Sequence, residues 1–250
     1  MFGIRTHHRR VRECAVCRSL FYGHDERLCP HCIQQLPYTH FWQQPESAPV
    51  RGVVEAFHGA QWVLPLCFYS QTGHMRHLVW MMKYQGRLDV AYALGQLYAR
   101  TLKDAGVAIP FDAIVPVPIH WRKLVQRGYN QCSLFAQGIA SLWGMPVVSA
   151  LRRRKHGKSQ TTCSSPDARR GNVRGSFAFN PKCNLSPGEH VLVVDDVLTT
   201  GATMGECVAV LQQQGLTYSV GSLAVAPGLC RGVLDAASHA PLDPDLFPPL

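Results

Sequence analysis

The run Val191-Leu192-Val193-Val194-Asp195-Asp196-Val197-Leu198-Thr199-Thr200-Gly201-Ala202-Thr203 constrains this chain more than any other feature. Four consecutive aliphatic residues predict a strand buried on both faces, the habit of an inner strand in a parallel sheet. Thr203, Cys207, Val210 and Leu211 then share one helical face, which predicts a helix from about Gly201 to Gln214 with Gly215 as its stop. A helix N-terminus carries unpaired N–H groups and partial positive charge, so it holds phosphate. Gly201 lets the backbone approach an anion, and Thr199, Thr200 and Thr203 add hydroxyl donors. Two carboxylates at the C-terminal edge of such a strand accept hydrogen bonds from a ribose diol, directly or around Mg²⁺. The run has neither the Gly-Lys-Thr/Ser of a Walker loop nor GxGxxG. One Asp-Thr pair alone would read as a helix cap with solvated acids; the whole run points to a ligand. Val194, Asp195, Asp196, Val197, Leu198, Thr199, Thr200, Gly201, Ala202 and Thr203 are therefore the candidate binding residues.

Other segments fit the same architecture. Met75, Leu78, Val79 and Met82 fall on one helical stripe, and Leu94, Leu97, Tyr98 and Leu102 on a second. Ala113 to Val115 predicts a short buried strand, Gln131 to Trp143 a helix, and Ser219 to Val225 another strand. Val147 and Val148 predict one more, while His120 to Asn130 reads as a polar loop and the basic stretch 152–175 as a long mobile one. Alternating strands and helices give an α/β class with a mainly parallel sheet flanked by helices. Residues 61–235 form this domain, 41–60 read as a linker rich in Pro and Gly, and 236–250 as a disordered tail.

Cys14-x-x-Cys17 and Cys29-x-x-Cys32 form two pairs eleven residues apart. Each CxxC turn presents two thiolates, and two turns complete a closed tetrahedral shell, so residues 1–40 are expected to be a structural zinc ribbon. A redox CxxC usually stands alone beside a βαβ unit. Cys67, Cys132, Cys163, Cys183, Cys207 and Cys230 match no nucleophile signature and read as packing or loop residues.

Val193 to Thr203 resembles the PRPP-binding motif of type I phosphoribosyltransferases, PRPP being phosphoribosyl pyrophosphate. More narrowly, the chain resembles the ComF/GntX family, a zinc ribbon joined to a phosphoribosyltransferase-like domain. Carrying the resemblance are the two CxxC pairs, Met82-Lys83-Tyr84-Gln85-Gly86-Arg87, Val115-Pro116-Val117-Pro118, Arg127-Gly128-Tyr129-Asn130-Gln131, Gln160 with Arg170 and Asn172, and the acid-pair loop. The resemblance implies Asp195 and Asp196 at the ribose hydroxyls, Thr199 to Thr203 around the 5′-phosphate, and Mg²⁺ accompanying PRPP. It implies pyrophosphate near Val117 and Pro118, with Arg122, Lys123 and Arg127 as neutralising candidates. Arg152, Lys158 and Arg170 are candidates on the basic stretch. The family is associated with DNA uptake and natural transformation, with a partner helicase implicated in some bacteria, and its GntX-type members with use of DNA as a nutrient; the basic face from Arg152 to Lys158 adds single-stranded DNA as a candidate partner. Transfer of phosphoribose to an acceptor is implied only as a possibility, since no hood for a particular base is identifiable. A non-enzymatic DNA- or helicase-binding adaptor and a nucleobase salvage enzyme are the alternatives.

From the residues alone, Lys83, Tyr84 and Arg87 suit either phosphate or nucleic acid, or a solvated helix face. Asn130 suits a helix cap. The net charge of +9 favours anionic partners without choosing one. No secretory signal or spanning segment is visible, since the longest apolar run, Trp62 to Tyr69, contains Pro65. A reducing cytoplasm is the expected setting, with no membrane insertion.

Overall fold

A strand buried on both faces sends alternate side chains into two different cores. Such a strand is the axis of the computed structural model, which describes residues 10–23, 26–43, 48–57, 59–108, 110–154 and 175–230. The N-terminal unit is an antiparallel pair, β1 (Arg10–Glu13) and β2 (Leu20–Gly23), followed by a short helix α1 (Pro30–Gln34). Next come α2 (Ala48–Glu55), β3 (Ala60–Phe68), α3 (His74–Tyr84), α4 (Leu88–Asp104) and β4 (Ala113–Pro116). Then follow α5 (Trp121–Arg127), α6 (Gln131–Trp143) and the small antiparallel pair β5 (Leu151–Arg153) and β6 (Phe177–Phe179). β7 (His190–Leu198), α7 (Ala202–Gln212) and β8 (Thr217–Val225) complete the described chain.

Among the described residues the main sheet runs β3-β8-β7-β4, and every pairing is parallel. Leu192 and Val194 of β7, with Ile114 of β4, join the core under α3, α4 and α6. Val191 and Val193, with Ala113 and Val115, join the opposite core with Val50 and Val53 of α2 and Met204, Cys207 and Leu211 of α7. This is a two-sided sheet with helices on both faces, as the sequence predicts. α4 and α6 meet backbone to backbone, because a Cβ at Gly95 would lie 2.1 Å from the Phe135 carbonyl oxygen and one at Gly138 2.0 Å from that of Tyr92. Asn130 caps α6 by accepting from the Cys132 N–H at 3.0 Å, and Gly144 ends the helix in the left-handed conformation.

Several expectations are corrected. The 41–60 stretch, expected as a linker, holds α2, and Phe41, Val50, Val53 and Phe57 are buried in the second core. Its apolar residues are only a few, but each finds the sheet. Residues 37–39 hydrogen-bond alongside β3: Phe68 N–H to the Pro37 carbonyl at 2.7 Å and Thr39 N–H to the Leu66 carbonyl at 3.0 Å. The Trp62 to Tyr69 run is mostly strand β3, with Pro65 tolerated at the sheet edge. The expected loop His120 to Asn130 contains α5, a helix with no buried residue and hence no readable period. Val147 makes a single parallel bridge to Ile114 and not a strand. Arg152 and Arg153 belong to β5 and the Arg154 N–H donates to the Ser176 carbonyl at 2.8 Å, while residues 155–174 and the 236–250 tail lie outside the described residues. Among the described residues no helix is long and apolar enough to cross a membrane.

Candidate functional site

β7 does not stop at Val194 but continues through the acids to Leu198, with Asp195 opposite Ser222 of β8. The pleat turns Asp196 toward the α3 and α6 face, where it is 5 % exposed. There the Lys83 ammonium, at the end of α3, sits 2.7 Å from Asp196 Oδ2, and the Gln131 amide donates to the same oxygen at 3.1 Å. Asp196 Oδ1 accepts the Val197 N–H at 2.7 Å. Both oxygens of Asp196 are thus engaged by the protein.

Asp195 differs. Its Oδ1 accepts the Asp196 N–H at 2.8 Å and the Cys132 thiol at 3.3 Å, and Oδ2 has no partner among the described residues. Burial, then the neighbouring Asp196 carboxylate, push the Asp195 carboxyl from 3.8 up to about 7. Burial followed by the same two acids holds the Cys132 thiol well above its ordinary range, so it serves Asp195 as a donor. Burial works against the Lys83 ammonium, but Asp196 and Asp195 outweigh it and raise its pKa. Lys83 is therefore a fixed cation beside the acids.

The acids lead directly into the Thr199–Gly201 turn. Thr199 and Thr200 are exposed, and Gly201, at φ 75°, turns the chain into α7. A Cβ there would lie in the left-handed region and 3.2 Å from the Phe57 ring. Gly201 has no side-chain cap to offer, and the Thr200 hydroxyl lies 3.4 Å from the Ala202 N–H. The first turn of α7 follows directly, and its Ala202 N–H donates to that hydroxyl.

Beside this loop, Val117 is tied to β7 by its N–H to the Val194 carbonyl, 2.9 Å. The Asn130 amide donates to the Val117 carbonyl at 3.1 Å, which fixes the Val117-Pro118 turn against α6. Arg127 donates to Gln131 at 3.1 Å and stacks over Tyr84 with 5.1 Å to the ring centre. Lys83, Asp196, Gln131, Arg127 and Tyr84 thereby form one closed ring. It joins Met82–Arg87 to Arg127–Gln131, and the Tyr129 hydroxyl reinforces it on the Met82 carbonyl at 2.6 Å.

The structure divides the residues expected here. Asp195, Asp196, Arg127, Val117 and the loop come together. Arg122 lies over the Trp121 ring at 5.5 Å and does not join the acid-pair network. Arg87 is paired bidentately with Asp89, which also holds Arg27 of the cysteine unit at 2.9 Å. Lys158, Arg170, Gln160 and Asn172 lie outside the described residues. Gln131 and Cys132 were not expected at the acids; Gln131 ends the Arg127–Gln131 motif, the one signal that singled it out. Arg153 also carries a buried Nε without a partner among the described residues.

At the other end of the chain, Cys14, Cys17, Cys29 and Cys32 place their sulfurs within 4.8 Å of one another. Arg18, at φ 60°, closes the first knuckle by donating its N–H to the Cys14 carbonyl at 3.0 Å, and Pro30 opens α1 straight after Cys29. This donor set is compatible with a structural zinc ion.

Residues 130–238 match the family model described as the phosphoribosyl transferase domain. The chain is 31% identical over 144 residues to competence protein F of Haemophilus influenzae, covering 56% of this chain and 62% of that one. It is 28% identical over 215 residues to the DNA utilization protein YhgH of Salmonella typhi, covering 84% of this chain and 82% of that one. Among solved structures, glutamine phosphoribosylpyrophosphate amidotransferase from B. subtilis aligns with a TM-score of 0.39 at 21% identity, over 58% of this chain and 30% of that one. The family match and the helix-flanked parallel sheet give a type I phosphoribosyltransferase fold. Lys83, Val117, Arg127 and the four cysteines all precede the matched segment.

Proposed function

We propose, from the premise that this chain belongs to the ComF family of phosphoribosyltransferase-domain proteins, that it binds PRPP at the acid-pair loop and acts in DNA uptake, natural transformation or use of DNA as a nutrient. The observation that carries the PRPP reading is one strand that delivers Asp195, whose Oδ2 has no partner among the described residues, and then the left-handed Gly201 turn into α7. Asp195 Oδ2 faces the ribose diol, and the Thr199 to Thr203 backbone and hydroxyls take the 5′-phosphate. Asp196 holds the strand end to α3 and α6. Pyrophosphate lies toward Val117, Pro118 and Arg127, with Arg122 and Lys158 as further candidates.

Asp195 would be the carboxylate offered to Mg²⁺ accompanying PRPP, since both oxygens of Asp196 are engaged and Asp195 Oδ2 has no partner among the described residues. When bound, the ion neutralises charge on the departing pyrophosphate. Transfer would break the bond from the anomeric carbon to pyrophosphate, which leaves with the electron pair, while an acceptor lone pair forms the new bond. Asp195 would stabilise the positive charge growing on the ribose. The four-cysteine unit holds zinc as a structural ion, with the thiols kept reduced in the cytoplasm.

Calorimetric titration with PRPP and Mg²⁺ tests the binding reading. Binding is expected for the native chain and a loss of about tenfold or more for Asp195→Asn, the scale of a charge-assisted hydrogen bond. No heat with the native chain sinks it. Pyrophosphate release with and without single-stranded DNA then tests turnover.

A second reading, a DNA-binding adaptor, rests on the rim around the site. Exposed Tyr84 (66 %) carries Arg127 over its ring, and on α5 exposed Trp121 (45 %) carries Arg122. Aromatic faces interleaved with cations suit single-stranded nucleic acid. Binding that falls steeply with salt and weakens in Trp121→Ala supports it; salt-independent binding does not.

A further inference from the structure

The Met82–Arg87 motif is only half explained by the site as described. Arg87 turns away to Asp89 and the cysteine unit, whereas Lys83 is driven inward to Asp196. Burying a lysine beside one carboxylate is an expensive way to neutralise it, because desolvation opposes both charges. Gln131 and the Val197 N–H already serve Asp196 without adding charge. An ammonium has three protons. One is directed at Asp196, and the remaining two find no partner among the described residues, although the side chain keeps 24 % of its surface open. The ring through Gln131, Arg127 and Tyr84 ties the end of α3, which carries that ammonium, to the start of α6. Tyr129 donates to the preceding carbonyl, a second tie between the end of α3 and the Arg127–Gln131 segment. The result is a cation held at the acid pair, in the same hydrogen-bonded network that Gln131 extends to Arg127.

We infer that Lys83 is a ligand-contacting residue of this site, whose two free protons bind oxygens of the pyrophosphate group. The inference rests on the PRPP reading above and adds to it a contact from outside the matched transferase segment. A compact ammonium suits a polyphosphate better than a neutral sugar hydroxyl, since charge-assisted hydrogen bonds are roughly twice as strong as neutral ones. A pre-fixed cation also loses little side-chain freedom when the ligand arrives. Lys83 thereby gives the site a permanent charge for the leaving group, held by protein alone.

The test uses the full chain and titrates PRPP with Mg²⁺, with ribose 5-phosphate as a competing ligand that lacks pyrophosphate. The variants are Lys83→Met, Asp196→Asn and the double variant, each checked by thermal melting. Lys83→Met strands a buried carboxylate and is expected to lose stability for that reason alone; Asp196→Asn in the same chain removes the stranded charge. The expected result is a PRPP affinity reduced about tenfold or more in both Lys83→Met and the double variant, with ribose 5-phosphate changed less than about threefold. The double variant recovers most of the melting temperature. Native PRPP affinity in the double variant would overturn the inference, leaving Lys83 a neutraliser of Asp196 only. Equal losses for both ligands would overturn the pyrophosphate contact as well. Failure of the native chain to bind PRPP is a separate result, read before any variant, that removes the PRPP reading and the contact with it.

Discussion

Asp195 and Asp196 are adjacent in sequence and unequal in circumstance. Asp196 is buried with an ammonium, an amide and a backbone N–H on its oxygens, while Asp195 keeps one oxygen open and a carboxyl pushed up to about 7. Its folded-state pKa lies above the ordinary 3.8. The stability carried by the protonated carboxyl is therefore full below about pH 4 and is lost as pH rises through about 7. Asparagine at 195 has no charge to acquire. The melting temperature of Asp195→Asn minus that of the native protein is expected to widen from pH 4 to pH 7 and to level off above. Melts across that range check it; a difference independent of pH would show that Asp195 titrates normally. The sequence announced the pair but not the inequality, because the partners of Asp196 lie 65 and 113 residues away. Lys83 and Asp196 are joined only by folding.

At the scale of elements, legibility followed burial. The Met75–Met82 stripe became α3, all four members buried, and Val191–Val194 became the heart of β7. α6 was framed by Asn130 and Gly144, whose caps are local chemistry. α5 escaped notice because no side chain of it is buried, and β3 because Pro65 breaks the usual strand signal at an edge where it does no harm. The α4–α6 contact was also silent in sequence, since Gly95 and Gly138 look like ordinary helical glycines. Their meaning is steric. Gly138→Ala should cost about 1–3 kcal/mol or more by overpacking. It should also weaken PRPP binding, because α6 carries Gln131 and Cys132 to the acids. Gly205, in α7 with nothing within 4 Å of its notional Cβ, makes the contrast. Gly205→Ala should stabilise by up to about 1 kcal/mol through helix propensity. Chemical denaturation of the two variants checks both signs.

Across the whole molecule, the cysteine unit and the sheet share one interior. Cys14, Leu28, Cys29, Cys32 and Leu36 lie in the same hydrophobic cluster as Met75, Leu78 and Met82 of α3, the helix that ends at Lys83. Stripping metal from the thiols, or Cys29→Ser, should therefore lower a single cooperative melt, by roughly 2–4 °C for each kcal/mol lost. It should also weaken PRPP binding through displacement of Lys83. Calorimetry before and after a zinc chelator checks this, and two separate transitions would show an independent appendage instead.

The single rungs at the two margins of the sheet have a consequence for how the molecule behaves in company. Tyr38 bridges Cys67 on β3, and Val147 bridges Ile114 on β4, with flanking backbone bonds at both places. Each rung occupies N–H and C=O groups that would otherwise template the strand of another chain. The first rung depends on the segment that carries the cysteines. A version of the protein beginning at residue 44 would bare β3 along Leu66 to Phe68 and should self-associate with rising concentration, visible by light scattering. The cysteine-bearing end of the chain thus also guards solubility, by denying neighbours an open strand.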